Sequence, residues 1–435
     1  MSDLPAGWAT TDLGSLGKYQ NGRAFSSRTW GTEGRPIIRI QNLTGSGSHF
    51  NHFDGEVEER HLVRTGDLLV SWAATLGVYV WHGEEAALNQ HIFKVESAVN
   101  PRWHRYALES ALDGLRASAH GSGMVHVTKR RFDAAPVWLP PLPEQDRIAD
   151  ELDRRMAHLD AAVRGLHRSL RLIASTRNAI LNATASGTLL SQDSSGWPLV
   201  DTGDVCVVKG GIQKQPRRAP GDNPAPFLRV ANVGRGSLDL AEIHEIELFG
   251  EELDSYRLEP GDLLVVEGNG SIGHIGRAAM WDGSIADCVH QNHLIRVRPG
   301  DDVLPEFLAL VWNAPSSIAQ LVRVASSTSG LHTLSTGKVK SVQLRLPTLT
   351  TQRALAEEAV RRLSLVEAAK STVRVALARS EQLRRSALHQ AMTGKLAPQN
   401  PTDEPAASLL ERIRVENEIT TPGGKARRNK KDLGA

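Results

Sequence analysis

Gly66-Asp-Leu-Leu-Val70 is repeated letter for letter as Gly261-Asp-Leu-Leu-Val265. Working outward from this pentapeptide, most of the 435-residue chain can be laid on itself. Upstream, Gly7-Trp8 matches Gly196-Trp197, Asp12-Leu-Gly14 matches Asp201-Thr-Gly203, and Gly22 matches Gly211. Arg35-Pro-Ile-Ile-Arg39-Ile-Gln-Asn42 answers Ala225-Pro-Phe-Leu-Arg229-Val-Ala-Asn232, with Arg and Asn at the same spacing. Downstream, His91 answers His293, and the stretch from Ser122-Gly123 to Leu189 matches Ser329-Gly330 through Leu396 without a gap. A match of that extent is a duplication, so the question becomes why one chain carries two copies.

Each copy has two parts. The first alternates short aliphatic runs, such as Pro36-Ile-Ile-Arg-Ile, Asp67-Leu-Leu-Val and Ile92-Phe-Lys-Val, with Gly, Asn, Asp and Pro punctuation, and Trp103 to Arg116 interrupts it with a helical patch. This predicts a compact α/β domain with a short-stranded, twisted sheet. The second part follows Leu139-Pro-Pro-Leu-Pro143, whose prolines oppose a helix, and begins with Glu144-Gln-Asp, acidic residues suited to a helix N-terminus. Leu152, Met156, Leu159, Val163, Leu166, Leu170, Ile173 and Ile180 then recur at helical spacings, broken by Arg177, and the pattern stops near Ser186-Gly187. The second copy keeps a weaker stripe, Leu355, Ala359, Leu363, Val366, Val373 and Leu377, and stops at Gly394. About 43 helical residues make a rod of roughly 65 Å. Such a rod cannot bury its stripe alone, so the two are expected to pair, antiparallel, as a coiled coil. The expected divisions are 1–138, 139–189, 190–345 and 346–397, with a tail at 398–435. Leu409, Leu410 and Ile413 could give the tail a short docking helix, ahead of the basic end Lys425-Ala-Arg-Arg-Asn-Lys-Lys431.

The 51 Lys+Arg against 49 Asp+Glu leave a net charge of +2, so any basic surface must be local. Cys206 and Cys288 are too few for a disulfide scaffold and read as reduced packing residues. The first residues lack a basic and apolar leader, and no apolar run reaches about 18 residues. A cytoplasmic protein is the expectation.

Catalytic signatures fail one by one. Asn223-Pro-Ala-Pro-Phe227 approximates the Asn-Pro-Pro-Phe loop of amino-methyltransferases, but Ala225 splits the prolines and no glycine-rich cofactor strand precedes it. Gly330 to Lys338 has the wrong spacing for a phosphate-binding loop. Asp262 with Glu267-Gly-Asn269 has the outline of a metal-dependent nuclease strand, yet Asn269 stands where a lysine belongs. Of Cys288-Val-His-Gln-Asn-His293, His293 alone has a counterpart, so a metal site is not expected. No catalytic residue is assigned.

What remains is amide and basic side chains at strand ends. The first copy offers Gln20, Asn21, Arg23, Gln41, Trp72, Gln90, His126, Lys129 and Arg130. The second offers Gln213, Lys214, Arg217, Arg218, Asn269, Ser271, His274 and His332. Gln, Asn and Arg read base edges in a major groove, while Lys and Ser suit phosphates. The alternative for each is a loop residue satisfying backbone groups. The repeated Arg39/Arg229 and Asn42/Asn232 lean that way, since two domains reading different sequences should differ where they touch bases.

The whole pattern resembles the specificity subunits of type I restriction-modification enzymes. The motifs that carry the resemblance are Gly-Asp-Leu-Leu-Val in both copies, Leu139-Pro-Pro-Leu-Pro-Glu-Gln-Asp-Arg-Ile-Ala149, Ser186-Gly-Thr-Leu and Thr393-Gly-Lys-Leu. Thr350-Thr351-Gln352 departs from the usual Pro-Glu-Gln. The resemblance implies two tandem α/β target-recognition domains, each followed by a long helix, related by a pseudo-two-fold. It implies double-stranded DNA as ligand, read as a split, asymmetric site. Two methyltransferase subunits and the restriction subunits that translocate and cut would be the partners, with S-adenosylmethionine, ATP and Mg on them and none on this chain. The rival classes are a self-contained methyltransferase or nuclease and a coiled-coil scaffold.

Overall fold

The structure, a computed structural model, describes residues 4–47, 49–117, 127–269, 274–328 and 331–420. The chain forms two compact units. One holds residues up to Arg164 together with those from Leu377 onward, and the other is Gly165–Ala376.

In the first unit the repeated pentapeptide is a turn that feeds the strand Leu68–Ser71. Gly66 has φ +96°, as Gly261 has +94° in the second unit, a conformation that costs a Cβ-bearing residue energy. The aspartate that follows ties the turn. Asp67 Oδ2 accepts the backbone N–H of Arg64 at 2.8 Å, and Asp262 Oδ2 accepts that of Glu259 at 2.8 Å. Each carboxylate also pairs with a cation of a neighbouring strand, Lys94 at 2.9 Å and Arg298 at 2.7 Å. The next residues, Leu68, Leu69 and Val70, are buried because their strand lies between Ile92–Ser97 and Gly77–Val80 in a four-stranded antiparallel sheet that ends in Gly17–Asn21. A second sheet, in the order Asn51–Phe53, Arg35–Ile38, Ala86–Leu88, Leu62–Val63, contains one parallel pairing. The helix Pro101–Ala117 buries Trp103 and Tyr106 completely. Each such aromatic contributes on the order of 2–3 kcal/mol.

The second unit repeats this plan. Cys206–Gly210, Leu294–Pro299, Leu263–Val266 and Ala278–Met280 form the four-stranded antiparallel sheet in the same order. His244–Glu247, Pro224–Leu228 and Val289–His290 form the mixed one. A ribbon of Gly268–Asn269, Leu331–Thr333 and Ser326–Thr328 has no counterpart among the described residues of the first unit. Cys206 and Cys288 are both buried, and burial raises both thiols, Cys206 to about 11 and Cys288 to about 12.

The long helices are Leu142–Ala185 and Leu349–Met392, 44 residues each. The first begins two residues before Glu144, because Pro143 falls in the opening turn, where its missing N–H has no intrahelical partner to lose. In the first unit Ile148, Leu152 and Met156 share a core with Ala387, Leu388 and Ala391, and Arg384 pairs with Asp160. Ala406, Leu409 and Ile413 of the helix Ala406–Thr420 join the same core. In the second unit Ile180 shares a core with Leu355 and Ala359. Early residues of one helix thus meet late residues of the other, as in an antiparallel pair. Leu159, Val163, Leu166, Leu170 and Ile173, with Leu363, Val366, Val373 and Leu377, are half-buried, as a two-helix seam requires. Arg177, which breaks the stripe, donates to the carbonyl of Arg235 at 3.4 Å in the second unit.

Candidate nucleic-acid interface

In both units one close approach assembles the polar residues. A Cβ on Gly22 would lie 2.3 Å from the carbonyl oxygens of Leu88 and Asn89, and one on Gly211 would lie 2.3 Å from that of His290. Only glycine lets the chain cross there. The crossing is pinned by Arg23 N–H to Leu88 O and Ile212 N–H to His290 O, both 2.8 Å. It sets the loop after Gly17–Asn21 beside the turn Asn89-Gln90-His91, and the loop after Cys206–Gly210 beside Gln291-Asn292-His293, where Asn292 N–H donates to Ile212 O at 2.9 Å.

The loops on this shared scaffold differ. In the second unit Gln213, Lys214 and Arg217 are exposed. Gln215 links them: its Oε1 accepts from Arg217 Nε at 2.9 Å, and its amide lies 3.5 Å from Gln213 Oε1. The sequence reading missed Gln215, although residues two apart in extended chain share a face. Arg218 corrects the expectation for it. Its two Nη atoms donate to both oxygens of Glu252 at 2.8 and 2.7 Å and its side chain is only 10% exposed, so it anchors the loop from within and is not on its exposed rim. That hydrogen bonding holds the Glu252 carboxyl down to about 2. His274 is exposed beside a groove of about 750 Å³ that Arg235 and Arg277 also line. Asn269 and His332 are register partners in the ribbon. Ser271 lies outside the described residues.

In the first unit Asn21 is exposed and Gln20 half-buried at the end of their strand. Arg23 donates to the Glu56 carbonyl at 3.1 Å with its guanidinium over Phe25 and Phe53. Gln41 is half-buried on the short helix Ile40–Thr44, and Gln90 lies with its amide 3.1 Å from His91 Nε2. Trp72 is a packing residue in part: it stacks on Phe93 at 5.7 Å and meets His91 edge-on at 5.7 Å. Lys129 is tied to both oxygens of Asp133 at 2.9 Å, whereas Arg130 is exposed. His126 lies outside the described residues.

Arg39/Asn42 and Arg229/Asn232 are loop braces. Asn42 Oδ1 accepts from Arg39 N–H at 3.0 Å and Asn232 Oδ1 from Arg229 N–H at 2.8 Å. The amide nitrogens then hold loop carbonyls, of His49 in one unit and of Asp239 and Glu242 in the other. The nuclease outline dissolves likewise, because Asp262 is buried against Arg298. Among the described residues no three His, Cys, Asp or Glu side chains converge as metal ligands.

A polar rim built twice on one scaffold finds its match in known proteins. Residues 5–162 fit the family model of the type I restriction modification DNA specificity domain. The chain is 25% identical to the type I restriction enzyme EcoBI specificity subunit of Escherichia coli, over 98% of this chain and 95% of that one. The chain is thus similar, over nearly its whole length, to a type I restriction-modification specificity subunit. A second relative, the type I restriction enzyme EcoKI specificity subunit of Escherichia coli K12, is 28% identical over 72% of this chain and 70% of its own length. The fold also matches a solved chain from a study of type I R-M complex assembly and conformational transition, with a TM-score of 0.64 at 17% identity, covering 91% of this chain and all of that one. No helix among the described residues is long and apolar enough to cross a membrane.

Proposed function

We propose that this chain is a type I restriction-modification specificity subunit that reads a bipartite, asymmetric site in double-stranded DNA, with residues 1–138 and 190–345 each taking one half. The observation that carries the proposal is the pairing of identical braces with divergent rims. Gly22/Gly211, Asn42/Asn232 and Asp67/Asp262 do the same work in both copies, while the loops that follow the glycine, Arg23-Ala-Phe-Ser-Ser-Arg28 and Ile212-Gln-Lys-Gln-Pro-Arg217, differ at every position but the last. A scaffold repeated with its exposed loops changed suits two different half-sites. Gln213 and Arg217 are the base readers of the second half-site and Asn21 and Gln90 of the first, with Lys214 and Arg130 on phosphates.

The helices at 139–189 and 346–397 join the two halves, and the helix Ala406–Thr420 packs on the first. Adenine methylation and restriction belong to methyltransferase and restriction subunits that bind S-adenosylmethionine, ATP and Mg, and this chain acts as their address. A coiled-coil scaffold would need the helices but not the divergent rims. The test is binding of the full chain, with its methyltransferase partners, to a pool of random duplexes. Enrichment of two separated tracts supports the reading, and sequence-independent binding refutes it.

A further inference from the structure

Within the shared scaffold one backbone position is held alike in both units and carries unlike chemistry. Trp72 N–H donates to His91 O at 3.3 Å, and Glu267 N–H donates to His293 O at 2.9 Å. The carbonyl oxygens of Trp72 and Glu267 accept from Val127 and Leu334 N–H, residues that match in the duplication. Trp72 and Glu267 are therefore the same position, at the end of the same central strand, beside the same histidine. In the first unit the neighbour is an indole packed on the imidazole. In the second it is a carboxylate, with Glu267 Oε2 2.8 Å from His293 Nδ1.

That bond decides the imidazole's role. A carboxylate can only accept, so Nδ1 carries the hydrogen, and Nε2 of the neutral ring is an acceptor. His293 is 56% exposed, next to the turn that Asn292 fixes against the Gln213–Arg217 loop. A carboxylate on a face that approaches phosphates is repelled by them. Contact with a base-edge donor offsets that repulsion, and the donors in a major groove are exocyclic amino groups.

We propose that Glu267 and His293 together form a specificity element of the second domain, presenting acceptors to one exocyclic amino group, adenine N6 or cytosine N4, in the half-site it reads. The proposal rests on the DNA-recognition reading above. It also states why the first domain does not read that position in the same way, since Trp72 offers no acceptor there.

The experiment uses the full chain with its methyltransferase partners and duplexes altered one base pair at a time. Glu267→Ala and His293→Ala should each flatten preference at one and the same position of one tract, by about ten-fold, and the double variant should lose no more than either alone. At that position purine in place of adenine, or 2-pyrimidinone in place of cytosine, should weaken the wild type and not the variants, and which analogue acts identifies the base. Glu267→Gln keeps the side-chain shape and should retain folding, checked by melting temperature, with reduced discrimination. An unchanged preference profile, or an equal loss on every sequence, would overturn the proposal. A wild-type complex without any two-tract preference would instead overturn the recognition reading, and this inference with it.

Discussion

Gln145 and Gln352 occupy one position in the two copies and make the same buried bonds. Gln145 Oε1 accepts the Asn100 N–H at 3.0 Å while its amide donates to Pro140 O at 2.9 Å. Gln352 Oε1 accepts from Leu304 N–H at 2.8 Å while its amide donates to Asp302 O and Pro347 O at 2.8 and 2.9 Å. Both residues are wholly buried, so in each copy one side-chain amide helps to latch the long helix to its domain. Thr350-Thr351 in place of Pro-Glu does not disturb this, because Thr348 Oγ1 takes the Thr351 N–H.

Gln352→Leu would leave three backbone groups without their partner. At about 1–3 kcal/mol per orphaned buried group, the variant should unfold at clearly lower temperature or denaturant than wild type. Gln145→Leu should lose less, with two groups orphaned. Denaturant titration of both variants checks the order, and equal stability to wild type would count against the latch.

Asn42 and Asn232 brace loops. Asn232→Ala should cost about 1–3 kcal/mol of stability and leave the recognised bases unchanged. A melting curve and a binding profile on single-substitution duplexes separate the two effects, and an altered base preference would make Asn232 a reader.

Arg217→Ala or Gln213→Ala should cost about 1–3 kcal/mol on the preferred site and relax one position. Lys214→Ala and Arg130→Ala should weaken binding about equally on all sequences and reduce the salt slope by about 1. Affinities measured at several salt concentrations distinguish the pairs, and a sequence-dependent loss from Lys214→Ala would move it among the readers.

Acid should loosen the first unit. His104 is fully buried, with Ser97 Oγ 2.8 Å from Nδ1 and Tyr19 Oη 2.9 Å from Nε2, and desolvation lowers it from 6.5 to about 4. The folded ring stays neutral where the unfolded one takes a proton. Stability is therefore full above pH 6.5 and falls as pH drops from 6.5 towards 4, by at most about 3 kcal/mol. His290 in the second unit shifts the same way for the same reason, to about 3. Melting temperatures from pH 7.5 to 4.5 should fall, and less steeply for His104→Gln.

Much of this was legible in the sequence because the duplication put it there twice. The turn at Gly66-Asp67, the seam from Leu152 to Ile173 and the brace role of Asn42 and Asn232 follow from spacing and repetition. The fate of individual cations was not legible. Arg218 is drawn to Glu252, 34 residues away, a choice set by tertiary geometry and not by residue type, whereas Lys129 meets Asp133 one helical turn on, a pairing that spacing alone allows. Glu267 was legible only as part of a failed nuclease outline, because its partner is a histidine 26 residues later and a tryptophan replaces it in the other copy.

The most direct measurement is methylation-sensitive sequencing of a genome carrying this chain with the proposed methyltransferase partners, compared with one carrying the Arg217→Ala chain. Two short fixed tracts separated by a spacer of unspecified sequence are expected, with the substitution relaxing one tract and leaving the other intact. A single contiguous tract, or a substitution that alters both tracts alike, would contradict the division of recognition between two duplicated domains.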